Sequence, residues 1–224
     1  MSLEAVLEKR LGYTCGNKEL LQRALRHRST GHKHNERLEF LGDAVLGLVV
    51  AAELFQRDSE FTEGDLSRLR ASLVNRDALA ALAAELELGD YVDLGPGELK
   101  SGGFRRKSIL ADALEAVIGA IYLDGGYTAA EAAIKRLYQP SLAQLPPPDT
   151  LKDPKTRLQE HLQARSQPLP IYEMIEHRGP PHDPVFTVNA SIEALSLNVV
   201  ATGRSRRVAE QKAAGELLDR LIDD

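Results

Sequence analysis

Along the first two thirds of the chain, apolar residues recur at three- and four-residue intervals, the repeat that gathers them on one side of a helix. On that pattern helices are predicted over residues 3–11, 18–25, 36–55, 65–75, 77–86, 108–123 and 128–142. Asn17, Thr62 and Thr128 suit helix starts, where a polar side chain takes up a free amide, and Thr62-Glu-Gly-Asp65 reads as a capping box with Asp in place of Glu. The stretch from Gly95 to Gly103 interrupts the repeat and is read as a loop capable of movement.

The pattern changes after Leu145-Pro-Pro-Pro-Asp-Thr150, a run in which proline disfavours helix. Beyond it, residues 155–164 and 206–222 keep a helical repeat, whereas 171–176, 185–192 and 197–201 alternate as strands. The prediction is therefore multidomain: an all-α domain over 1–145, a Pro-rich linker over 146–153, and an α-β-β-β-α domain of the α+β class over 154–224.

Composition narrows the function classes. At about 150 residues per domain, 224 residues fit one large unit plus a small module. No apolar run approaches the roughly 18 residues of a membrane span, so no membrane partner is expected. Met1 to Leu11 lacks the basic-then-apolar order of a secretory signal. The single cysteine, Cys15, excludes a disulfide framework and a thiolate zinc site. Together these features point to the cytoplasm. The net charge is -5, so any nucleic-acid binding has to come from local patches.

Candidate chemistry begins with Glu36, Glu39 and Asp43, which at about 100° per residue share one stripe of a helix. Such a stripe is ordinarily a solvated face. Here Leu38, Phe40, Leu41, Val45, Leu46, Val49 and Val50 make the helix apolar on nearly every other side, which predicts a buried helix with its acids at the core edge. A second apolar helix carries only two acids over 108–122, Asp112 and Glu115, again three apart. Packed together, the two helices would converge four carboxylates, and like charges there are costly without a cation. An all-oxygen set suits Mg²⁺, with Mn²⁺ as a plausible substitute, rather than zinc, and such an ion activates water and neutralises phosphate. His27, His32 and His34 lie close in sequence but lack further ligands and read as a polar loop. Gly102-Gly103 followed by basic residues lacks the order of a phosphate-binding loop, so no nucleotide cofactor is expected. Arg105, Arg106 and Lys107 are read as meeting RNA or holding nearby acids.

His34-Asn-Glu-Arg-Leu-Glu-Phe-Leu-Gly-Asp43 resembles the signature of the ribonuclease III family. Gly95-Pro-Gly-Glu-Leu-Lys-Ser-Gly-Gly-Phe-Arg-Arg106 and Ile109-Leu-Ala-Asp112 resemble its later segments, and the C-terminal part resembles a double-stranded-RNA-binding domain. The resemblance implies a homodimeric, Mg²⁺-dependent endonuclease that cuts both strands of double-stranded RNA, leaving 5′-phosphate and 3′-hydroxyl ends with short 3′ overhangs. It places Glu39, Asp43, Asp112 and Glu115 on the family's metal-binding carboxylates, with Asp43 and Glu115 the foremost catalytic candidates. It also matches Glu36 and Glu63 to acids at the edge of the catalytic valley and Phe40 to an aromatic at the dimer interface. An ordinary core Phe is the alternative for Phe40. Structured precursors such as rRNA and some mRNAs are the implied substrates.

A-form RNA hides its bases, so a duplex binder needs 2′-hydroxyl contacts in two minor grooves and phosphate contacts between them. The second domain offers Thr156, Gln159, Glu160 and Gln163 on one helix face, although a solvated face explains that pattern as well. His182 falls in the loop that the family inserts into the next minor groove. Arg204, Arg206, Arg207 and Lys212 gather at the start of the last helix, where amides also favour phosphate. Many such domains carry a basic residue near the position of Glu210, and an acid there predicts weaker phosphate contact. Two rival classes remain: a non-catalytic RNA-binding protein that keeps the fold, and a metal phosphohydrolase acting on small nucleotides.

Overall fold

The computed structural model describes residues 3–31 and 33–223, so His32 lies outside the described residues. The chain divides into two compact units, one reaching to Pro148 and the other beginning at Asp149.

The first unit is all helical: α1 (Leu3–Leu11), α2 (Lys18–Ala24), α3 (Glu36–Arg57), α4 (Glu63–Leu73), α5 (Arg76–Glu85), α6 (Pro96–Lys100) and α7 (Lys107–Ala143). Polar caps begin several of them. The Asn17 side chain accepts the Glu19 N–H at 3.1 Å. Thr62 accepts the Asp65 N–H, and the Asp65 carboxylate accepts the Thr62 N–H at 3.0 Å, completing the capping box. Hydrogen bonds from Thr62 and Arg68 hold the Asp65 carboxyl down at about 2.

Two expectations about helix limits need correction. The stretch from Gly95 to Gly103 is not a plain loop: Pro96 opens α6, because its fixed φ and missing N–H suit a first helical position, and a 3₁₀ turn follows at Gly103–Arg105. The segments 108–123 and 128–142 join as α7, with one kink at Gly126, whose φ of 74° is left-handed. The helix therefore restarts just before Thr128.

α7 is the core of the unit. From Ile109 to Ile121 every residue is buried except Asp112 and Glu115, which are half-buried. α3, by contrast, is buried on one side only, through Leu38, Gly42, Val45, Leu46, Val49, Val50 and Leu54. The expectation of burial nearly all round fails because Phe40, Ala44, Leu48 and Phe55 form a second apolar stripe, with Phe40 80% exposed and Phe55 73% exposed. Phe40 is thus not a core residue of its own chain.

The second unit has the order α8 (Pro154–Ala164), β1 (Ile171–Arg178), β2 (Val185–Ile192), β3 (Leu197–Gly203) and α9 (Arg206–Asp223), in agreement with the predicted α+β class. The strands form an antiparallel sheet in sequence order, with Ile171 opposite Ser191 and Ser191 opposite Asn198. Alternation buries Val188, Ala190, Ile192, Val199 and Ala201 on one face. The core there is completed by Leu158 and Leu162 of α8 and by Ala213, Ala214, Leu217 and Leu218 of α9.

Candidate active site and RNA interface

The first site is made by the close crossing of α3 and α7. A Cβ at Gly42 would overlap the Glu115 carbonyl, and one at Gly119 would overlap that of Leu38. These two glycines let the backbones touch, which brings the acids of α3 opposite those of α7. Carboxylate oxygens of Glu39, Asp112 and Glu115 can all lie within 4.8 Å of one another. Among the described residues none of the three has a hydrogen-bond or ion-pair partner. Asp43 is exposed and lines the same cavity, outside that close trio.

The cavity has a volume of about 670 Å³ and is lined by Glu36, Glu39, Asp43, Asp112 and Glu115 together with His27, Arg28, Arg76 and Arg106. Burial, followed by the charges of Asp43, Glu39 and Asp112, pushes the Glu115 carboxyl up to about 7. Burial also raises Glu39, helped by Asp112 and Glu36. Asp112 is raised by burial too, but Arg76 and His27 oppose the shift. A cavity wall that makes carboxylates hard to ionise is one that a cation would stabilise.

The remaining first-unit candidates scatter. Glu36 is on the cavity rim, paired with Arg28 at 3.3 Å. Glu63 opens α4 in a different hollow, with Leu54, Phe55 and Arg70, and accepts the Ser67 hydroxyl at 2.8 Å. Within one chain it does not meet the other acids. Phe40 borders the main cavity with its ring exposed. His27 and Arg76, to which sequence gave no site role, also line the cavity. His27 accepts the Ser29 N–H through Nδ1, the bond of a helix cap, and burial lowers its pKa. Arg106 holds Glu98 at 2.9 Å and Lys107 holds Asp77 at 2.8 Å.

The second unit presents an exposed, charged surface. On α8, Gln159, Glu160 and Gln163 are exposed and Thr156 is half-buried, donating to the capping Asp153 at 2.7 Å. Glu160 is paired with Lys152. His182 is exposed in the β1–β2 loop, beside Asp183, which pairs with Arg204 at 3.7 Å. Arg206, Arg207 and Lys212 are exposed on α9. Lys155 of α8 and Arg206 of α9 share Glu210. These ion pairs link the three predicted contact regions: the start of α8, the β1–β2 loop and the start of α9.

The family model described as Ribonuclease-III-like matches residues 17–142, more than half of the chain. The chain belongs to the ribonuclease III family. A second model, the double-stranded RNA binding motif, matches residues 154–221. Among solved structures, the nuclease domain of ribonuclease III from Campylobacter jejuni is 46% identical, with a TM-score of 0.62 over 65% of this chain and 100% of that one. Another structure of that nuclease domain, whose subject is flexibility in a region involved in dimer formation, is 46% identical, with a TM-score of 0.60 over 62% and 98% of the two chains. A ribonuclease III nuclease domain followed by this motif makes the chain a double-strand-specific endoribonuclease. Among the described residues no helix is long and apolar enough to cross a membrane.

Proposed function

We propose that the chain acts as a homodimeric, Mg²⁺-dependent enzyme that hydrolyses phosphodiesters in both strands of duplex RNA. Attack of water on phosphorus and departure of the 3′-oxygen leave 5′-phosphate and 3′-hydroxyl ends, with short 3′ overhangs. Structured precursors such as rRNA and some mRNAs are the substrates, in the cytoplasm, where the buried free Cys15 meets a reducing medium.

The observation that carries this reading is the unpartnered trio Glu39, Asp112 and Glu115. Three hard oxygen donors at the edge of an apolar core fit Mg²⁺ or Mn²⁺, with Asp43 available from the rim. When bound, such an ion supplies positive charge to the phosphate and acidifies the attacking water. A bound cation would favour the ionised form of Glu115, while Arg28, Arg76 and Arg106 at the rim draw in the RNA backbone.

The exposed stripe Phe40, Ala44, Leu48 and Phe55 supports the dimer, because a second copy related by a two-fold axis would bury it. Two cavities then face the two strands. Glu36 and Glu63 are assigned an accessory role at the edge of that valley. In the second unit, Thr156, Gln159, Glu160 and Gln163 meet 2′-hydroxyls, His182 enters the next minor groove, and Arg204, Arg206, Arg207 and Lys212 meet phosphates.

The test is cleavage of one labelled RNA duplex, beside the single strand and the DNA duplex, with Mg²⁺ and with chelator. Metal-dependent cutting of the RNA duplex alone, with staggered ends, is expected. Tight binding without cutting would replace the enzyme with a non-catalytic RNA binder. Sedimentation of wild type and Phe40→Asp checks the dimer, and an unchanged mass in the variant counts against the α3 stripe as the interface.

A further inference from the structure

Glu210 stands among the cations of the second unit, where sequence alone sets it against RNA. Its side chain is only 13% exposed. It accepts a hydrogen bond from Lys155 Nζ, near the start of α8, at 2.8 Å, and another from Arg206 Nε, in the first turn of α9, at 2.8 Å. Lys155 in turn lies over the Tyr172 ring of β1, with Nζ 4.1 Å from the centroid. One carboxylate therefore joins both helices, and through Lys155 the sheet.

Helix stability does not account for this arrangement. Arg206 precedes Glu210 by four residues, the poorer order for such a pair, and a cation in a first turn opposes the helix dipole. The apolar core of Leu158, Leu162, Ala213 and Leu217 already joins α8 to α9. What Glu210 adds is control of the Arg206 side chain, which is 58% exposed. Glu210 takes only Nε–H. The two terminal nitrogens, which carry the other N–H donors of the guanidinium, have no partner among the described residues. A guanidinium held by Nε presents a ready fork to a phosphate, and less side-chain freedom remains to be lost on binding.

We propose that Glu210 is a positioning residue for duplex RNA: it holds Arg206 through Nε, next to the Lys155 end of α8, so that the guanidinium fork meets a backbone phosphate in register with the helix that enters the minor groove. This rests on the reading that the second unit binds duplex RNA. It reverses the expectation that an acid at this position only weakens phosphate contact.

The experiment measures affinity of the full chain for an RNA duplex of roughly 20 base pairs, longer than the ~16 such a module spans, in chelator and across a salt series. Wild type, Glu210→Gln, Arg206→Gln and the double variant are compared, with a melting curve for each. Glu210→Gln removes a negative charge, which alone would tighten binding, yet the expected result is a loss of about three- to tenfold with a salt slope shallower by about 0.9. The double variant should bind no more weakly than Arg206→Gln, since the two residues act through one contact. Tighter binding with a steeper slope in Glu210→Gln would overturn the proposal, leaving the acid as a neutraliser of the patch. Losses that add in the double variant would also overturn it, leaving a general structural role. If Glu210→Gln does not fold, Arg206→Lys decides: it keeps the charge without the fork, and full affinity in that variant refutes the positioning role. A wild-type chain that binds no RNA duplex removes the underlying reading and this inference together.

Discussion

The α3–α7 crossing and the α8–α9 face handle charge in opposite ways. At the crossing, like charges are driven together on the edge of an apolar core, and burial raises the pKa of Glu115, Glu39 and Asp112. On the α8–α9 face and the loop beside it, opposite charges alternate: Lys155 and Arg206 flank Glu210, and Arg204 meets Asp183. Burial lowers stability there in exchange for a place that a divalent cation would fill, whereas alternation keeps long cationic side chains in order. The site for chemistry is a cavity that crowds like charges, and the surface for binding pairs opposite ones.

That contrast breaks most sharply at Glu115. Glu115→Gln is expected to lower duplex cleavage by about 10²–10³-fold, the range for a lost transition-state electrostatic contact, with RNA affinity nearly unchanged. Above about pH 7, where Glu115 is ionised, the same substitution removes a half-buried like charge and should raise the melting temperature of the chelated protein. Normal turnover would reject Glu115 as a metal ligand. A matching fall in RNA affinity would erase the division of labour between the two regions.

Packing gives the next largest effect. Gly119→Ala forces a methyl into the Leu38 carbonyl and should cost about 1–3 kcal/mol, lowering the melting temperature by a few degrees and cleavage with it. Denaturant unfolding followed separately in the two units should show the loss in the first alone. No change would mean that the helices separate without penalty.

Metal removal makes the pH response diagnostic. The Glu115 carboxyl rises from an ordinary 4.5 to about 7, so between those values the folded chain holds a proton that the unfolded chain has released. Its contribution to stability is fully present below about 4.5 and is lost as pH rises through about 7. Melting in chelator across pH 5–8 should therefore show a decline that Glu115→Gln flattens, while apparent Mg²⁺ affinity rises over the same range. A rising or flat wild-type profile contradicts the raised carboxyl.

The smallest effect belongs to the α8–α9 face. Arg207→Gln should weaken duplex binding a few-fold and reduce the salt slope by about 0.9, the signature of one phosphate contact. An unchanged slope would move Arg207 out of the interface.

Much of this architecture was legible from residue spacing. Three-residue intervals marked Glu39 on one helix and Asp112 with Glu115 on another, and short-range chemistry marked the caps at Asn17 and Thr62, because both depend on neighbours within one or two turns. Strand alternation over 185–192 gave the sheet face directly, since its period of two admits one reading once a core lies on one side. Pro96 was harder: the same ring that breaks a helix interior opens a first turn, and sequence favours neither at Gly95. The stripe from Phe40 to Phe55 looked like core because an apolar side chain carries no mark of whether its own chain or another covers it.

By itself, then, the sequence determined the two-part order of helices and strands, the acidic triplet of α3, the acidic pair of α7 and the basic cluster at the start of α9, all of them properties set within a few residues. Tertiary structure alone decided which acids meet and how the cations are held. The Gly42–Gly119 contact spans helices far apart in the chain, and its effect on Glu115 comes from desolvation that no local pattern encodes. The Lys155–Glu210–Arg206 clasp is likewise a product of packing, because Lys155 and Glu210 are separated by 55 residues and by the whole sheet. Periodicity assigns a residue to a face; only the folded chain sets what that face meets.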